Sequence, residues 1–270
     1  MFHLACTLYF FVLVRQTQEV KFPATETFQA ITSSLATSFP SPMIFDARKP
    51  TCQSPGKYSQ TVYLRIEGPV STIFEGDITS GPAKLTTASG GTHECNGLNN
   101  GANLRPGATC TTAMAQAACE RRFSWDGTFD TEFDDFFVTG IGNDGESENE
   151  FWGLLLNYKF TPVGGCQQET EVHDDVLWAY DAFNAVAFLQ ASPSADFSTK
   201  IRTANVDKPN LIYVRDGNSG AAIQGASIGS AVTNANGVAE ISFTAPGTYV
   251  SKATKPDAIR SNAVTLVVSS

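Results

Sequence analysis

Asp174–Phe183 reads DDVLWAYDAF. Two acids are followed by a run in which Val176, Trp178 and Tyr180 alternate with Leu177, Ala179 and Asp181. Side chains project to opposite faces of a strand with a period of two, so this pattern predicts a core strand entered from a solvated acidic turn. The competing reading is a ligand site, with the carboxylates standing beside the aromatic rings.

Working outward, TVYLRIEG from Thr61 sets Val62, Leu64 and Ile66 against Tyr63, Arg65 and Glu67, and STIFEGDI after Gly68 and Pro69 completes a hairpin. A long loop containing SGGTHECNGLNNGANLRPG leads into GATCTTAMAQAACERR, which predicts a helix with Met114, Ala117 and Ala118 on one face. DFFVTGI and EFWGLLLNYKF are further strands. The order strand, strand, helix, strand, strand, strand is an α+β arrangement of the β-grasp type with one main helix, assigned to residues 60–190. Beyond Ala191 the texture changes to short alternating runs broken by Gly, Asn, Asp and Pro, with turn signals at Asn236-Gly237 and Pro246-Gly247. Residues 200–270 therefore predict an all-β sandwich of immunoglobulin-like form.

A chain of 270 residues with 42% hydrophobic and 17% charged residues suits two modest globular domains. Its net charge of -9 is unevenly spread: Glu120–Asp181 carries -12, the preceding part +1 and the following part +2. An acidic middle repels phosphate backbones and anionic lipid, which argues against nucleic acid and against membrane binding.

Leu4–Val14 is an apolar stretch too short to span a bilayer and of the length of a signal-peptide core, so residues 1–18 read as a secretory signal, with a buried N-terminal strand as the alternative. Residues 19–59, rich in Ser, Thr and Pro, read as an arm or linker. Five cysteines remain after the signal: Cys52, Cys95, Cys110, Cys119 and Cys166. They suit an oxidising compartment. No Cys-x-x-Cys occurs and His3, His93 and His173 are scattered, so no metal site is expected. Nine helical residues put Cys110 and Cys119 about 13 Å apart, beyond the reach of a disulfide. Each needs another partner, and an odd number leaves one thiol over or an intermolecular bridge.

Two catalytic patterns in the sequence have plainer readings. Gly225, Ser227 and Gly229 match the G-x-S-x-G nucleophile elbow, but β-like sequence surrounds them and no histidine follows His173. Asp134, Asp135, Glu148, Glu150, Asp174 and Asp175 could supply paired carboxylates, yet they lie at loops and strand ends, where solvated acids are ordinary.

FWGLLLNY (Trp152, Gly153, Asn157), GGCQ at Gly164–Gln167, DDVLWAY, HECNG around Cys95 and FDDFFVTGIG together resemble the transcobalamin-type C-terminal domain. This is a β-grasp module of vitamin B12 carriers and of secreted fungal proteins. D..SG..IQGASI, TNANG, APGTYVSKA and IRSN are similar to immunoglobulin-like or carboxypeptidase-regulatory-like modules of surface proteins. The first resemblance implies a bridge between Cys95 and Cys166, with Cys52 joined to Cys110 or Cys119 as a second. It also implies a ligand-facing position for Trp152, with Trp178 and Tyr180 as additions, since in the carriers this domain caps a corrin ring. The competing assignment for all three rings is the sheet core.

The expectation is a secreted, non-enzymatic two-domain protein for extracellular binding or adhesion, without a cofactor, meeting an unknown extracellular ligand or cell-surface component. The alternative is a binder of a flat, hydrophobic, corrinoid-like small molecule. A hydrolase is the reading the sequence disfavours.

Overall fold

Apolar residues at every second position of TVYLRIE need a covering layer, and two layers cover this strand. The computed structural model describes Cys52, Ser54 and residues 56–270. The expected signal and nearly all of the expected arm lie outside the described residues.

The first lobe runs β1 (Gln60–Glu67), β2 (Thr72–Ser80), β3 (Ala83–Thr87), β4 (Gly91–Cys95), α1 (Cys110–Arg121), β5 (Trp125–Asp130), β6 (Asp135–Ile141), β7 (Asp144–Gly145), β8 (Trp152–Leu156), β9 (Lys159–Phe160) and β10 (Asp175–Tyr180). Its main sheet has the order β2-β1-β10-β8-β9, with β10 parallel to β1 and antiparallel to β8. DDVLWAYDAF thus supplies the central strand. Val62, Leu64, Ile66, Val176 and Trp178 face α1 and pack on Ala113, Met114 and Ala117. Fully burying each of the larger aliphatic side chains among these is worth about 1.5–3 kcal/mol. On the opposite face Leu177 and Ala179 meet Tyr158 and Phe188.

α1 begins at a reciprocal cap: Thr109 Oγ1 accepts the Thr112 N–H, and the Thr109 N–H donates to Thr112 Oγ1. It ends at Arg122, in the left-handed conformation at φ 62°.

Two segments differ from the sequence reading. The predicted long loop holds the β3–β4 hairpin, whose Thr, Ser and Gly content hides it from a search for apolar alternation. EFWGLLLNYKF is two strands, because Asn157 and Tyr158 take positive φ (51° and 65°) and fold β9 back on β8. Asn157 anchors that turn by donating to Asp174 Oδ1 and accepting the Asp175 N–H, so a contact distant in sequence fixes the reversal.

The second lobe comprises β11 (Ala187–Ser192), β12 (Ile201–Asn205), β13 (Asn210–Asp216), β14 (Ser227–Ile228), β15 (Ala231–Val232), β16 (Val238–Ile241), β17 (Gly247–Thr254), β18 (Ala258–Ile259) and β19 (Ala263–Ser269). Two sheets, β16-β13-β11-β18 and β12-β19-β17-β14-β15, share one apolar cluster that includes Leu189, Ile212, Val214, Ile228 and Leu266. The sequence reading has no strand at β11, most of which falls inside the span 60–190 assigned to the first module. β11 instead pairs with β13 and β18, so the change of lobe falls before Ala187 rather than after residue 190. The chain is thus mostly β, with α1 the single α-helix among the described residues.

The lobes meet over the other face of β1. Tyr63, Arg65 and Glu67 alternate as the sequence indicates, but Arg65 is 3% exposed and Glu67 1%. Buried charge is costly unless paired. Glu67 accepts from Lys252 Nζ (2.5 Å), Arg260 Nε (2.9 Å) and Thr72 Oγ1 (3.0 Å). Glu75 pairs with Lys252 (2.6 Å) and accepts from Tyr63 OH and from the Ala263 N–H (2.7 Å). Arg65 donates to the Arg260 carbonyl, and Lys200 joins Asp175 (3.3 Å) above the Tyr63 ring. An ionic seam therefore fastens the sheet to the sandwich.

Candidate functional site

The three aromatic residues singled out in the sequence divide. Trp152 and Trp178 are each 4% exposed and belong to the core. Their indole N–H groups donate to the Asp144 carbonyl (3.2 Å) and the Cys110 carbonyl (3.5 Å). A ligand cannot reach either ring without opening the sheet. Tyr180, half-buried at the end of β10, stands edge-on to Trp152 and donates its hydroxyl to Glu150 (3.1 Å). It lines a cleft of about 680 Å³ between the lobes, with Glu150, Asp181, Asp257 and Arg260.

The cysteines pair as Cys95–Cys166 and Cys52–Cys119, bridging 71 and 67 residues of sequence. Loops of that length correspond to about 4 kcal/mol each of denatured-state entropy removed. Among the described residues Cys110 is the free thiol, buried beneath the sheet. Burial pushes its pKa up and so favours the protonated thiol over the nucleophilic thiolate.

Other candidate groups are dispersed. Ser227 of the G-x-S-x-G match lies on β14, in a lobe without a helix among the described residues. His93 stacks on Phe129 at 3.5 Å, and His173 occupies a turn at φ 72°. No group of three or more His, Cys, Asp or Glu stands together to hold a metal ion among the described residues.

A second concave surface comes from residues that the sequence reading did not join into a site. The β5–β6 hairpin and the segment Thr161–Gly164 enclose an open groove of about 790 Å³. Phe129, Phe133, Phe136, Phe137, Pro162 and Val163 line it. Phe133 at the hairpin tip is 61% exposed and Phe137 is 50% exposed, whereas Phe136 turns inward against Phe129. The available signal was DTEFDDFF: adjacent Phe136 and Phe137 on a strand must face opposite sides, so one ring had to emerge.

The tip is held firmly. Asp130 Oδ1 accepts the Glu132 and Phe133 N–H groups, Gln167 Nε2 donates to the Phe133 carbonyl (2.6 Å), and Asn99 Nδ2 donates to the Asp134 carbonyl (2.9 Å). Asp135 lies buried behind the groove and accepts N–H groups from Phe136 (2.7 Å), Cys166 (2.9 Å) and Gln167 (3.2 Å). Burial pushes its carboxyl up to about 6 against the pull of those donors. Gly164 is required where it stands, because a Cβ there would collide with the Asp135 carboxylate. The Cys95–Cys166 bridge fixes the same corner, so the exposed rings sit on a preformed frame.

No protein-family model matches the sequence, and no curated protein matches it. Among solved structures, the chain is similar to haptocorrin in complex with Cbi, with a TM-score of 0.32 and 10% identity over 47% of this chain. The match spans 26% of that structure's chain.

Proposed function

We propose that this chain is a secreted, non-enzymatic binding protein of the extracellular space, whose first lobe carries the binding surface and whose sandwich presents it. The observation that carries the reading is the groove at the β5–β6 tip, where Phe133 and Phe137 stand in solvent on an anchored backbone. Exposed aromatic surface that the fold does not need is the usual mark of an interaction site. The two disulfides and the apolar segment Leu4–Val14 suit export. The alternative, a flat corrinoid-like ligand against Trp152 and Trp178, lacks an accessible face, since both rings are core.

Retention of the purified chain on intact cells or cell-wall fragments tests the proposal. Wild type should be retained, and Phe133→Ala/Phe137→Ala, with unchanged circular dichroism, should wash off. Equal retention would remove the groove as the binding surface. Turnover of an ester or glycan substrate, lost on replacing Glu150 or Asp135, would overturn the non-enzymatic reading.

A further inference from the structure

The chemistry of the groove points to one kind of occupant. Its walls are phenylalanine rings, whose faces carry negative quadrupole charge, and the exposed Asp130 also lines it, while Asp135 adds its charge only from a buried position behind the wall. Neither Lys nor Arg lines it among the described residues. Glu132 and Asp134 stand on the same tip, inside the segment that carries -12. A neutral lipid would gain nothing from that charge, an anion would be repelled, and a neutral sugar would use the carboxylates only as hydrogen-bond acceptors. A cation held to an apolar stem gains from both features, because its stem covers the rings while its charge meets ring faces and carboxylates. At about 790 Å³ and open along its length, the groove accommodates several side chains rather than one small ion.

We infer that the groove between the β5–β6 tip and Thr161–Gly164 receives an arginine- or lysine-bearing segment of a partner protein, with its cationic side chain against Phe133 and Phe137. This rests on the proposed function, in which that groove is the binding surface. The backbone anchors from Gln167, Asn99 and Asp130 fit such a role, since a rigid acceptor loses little entropy when an extended segment settles on it.

Fluorescence anisotropy of the full chain with a fluorescein-labelled (Arg-Gly-Gly)3 peptide tests the inference, with the citrulline counterpart and a labelled β-glucan hexasaccharide as comparison probes. Saturable binding of the arginine peptide is expected. It should weaken roughly ten-fold with citrulline, and by a similar factor in Phe133→Ala/Phe137→Ala. Asp130→Asn/Glu132→Gln should also weaken it, since Asn keeps the oxygen that caps the turn, and added salt should erode the remainder. Equal affinity for arginine and citrulline peptides overturns the inference, as does arginine binding indifferent to the phenylalanines, which would report only the acidic surface. Ring-dependent binding of the hexasaccharide without peptide binding overturns it too, but leaves the proposed function standing. Loss of ring-dependent binding to all three probes, together with unchanged cell retention in the ring variant, removes both.

Discussion

Asp135 and Glu75 are buried carboxylates with opposite titration behaviour. For Asp135, burial outweighs three backbone donors and lifts the carboxyl to about 6. Its contribution to stability is therefore complete below the unfolded value of about 3.9 and is lost as pH rises through about 6. The stability of wild type relative to Asp135→Asn should fall by up to about 3 kcal/mol between pH 4 and 6.5, measured by urea unfolding at each pH. A flat difference would show that the carboxylate is better solvated than its surroundings imply. For Glu75, burial alone would raise the carboxyl, but the Lys252 ammonium, the Tyr63 hydroxyl and the Ala263 N–H hold it below its ordinary value. Its contribution is complete above about 4.3 and disappears as pH falls through the lower folded value. Neither behaviour was legible in the sequence, because Lys252 and the Ala263 N–H lie nearly 200 residues from Glu75, and the Cys166 and Gln167 donors to Asp135 belong to a turn some thirty residues downstream.

Among the elements, β10 was read correctly as a core strand because its apolar run is unambiguous; what the sequence concealed was that both its faces are covered, one by α1 and the other by Phe188 from β11. Trp178→Ala should cost about 3–5 kcal/mol, since it empties the space between sheet and helix. A denaturation midpoint near that of wild type would place the indole outside the core. The helix was legible from its spacing of small residues, and its Thr-x-x-Thr cap confirms the start. The β3–β4 hairpin was not legible, because its strands are built from Thr, Lys, His and Glu and held by backbone pairing and by the Cys95 bridge. The Cys95–Cys166 bridge followed from the family resemblance rather than from spacing. Cys95→Ala/Cys166→Ala should lower stability by about 2–5 kcal/mol and loosen the β5–β6 tip, seen as faster hydrogen exchange at residues 130–137.

For the whole molecule, the question is whether the lobes fold as one. The seam of Glu67, Glu75, Arg65, Lys252 and Arg260 predicts that they do, because separating the lobes would return paired charges to water and reopen the apolar contacts of Phe188. All three tryptophans, Trp125, Trp152 and Trp178, lie in the first lobe, so their fluorescence reports that lobe while circular dichroism reports both. The two signals should unfold at the same urea concentration in wild type. Glu67→Ala should cost about 3–5 kcal/mol by leaving Lys252 and Arg260 without their shared partner, and should separate the two curves. Coincident curves in that variant would mean that the Glu67 pairs are not what couples the lobes. Alternation in TVYLRIE separates an apolar face from a polar one; that polar face meets charges from the second lobe rather than water, a distinction that period-two patterning cannot make.

The two cystines interleave, since Cys52–Cys119 starts before Cys95–Cys166 and closes inside it. Any single peptide bond cut between residues 52 and 166 is therefore spanned by at least one covalent bridge. A protease that nicks the acidic loop at residues 142–150, or the phenylalanine tip, releases no fragment until a reductant arrives. A single nick there leaves both halves of the chain covalently joined for as long as the cystines last.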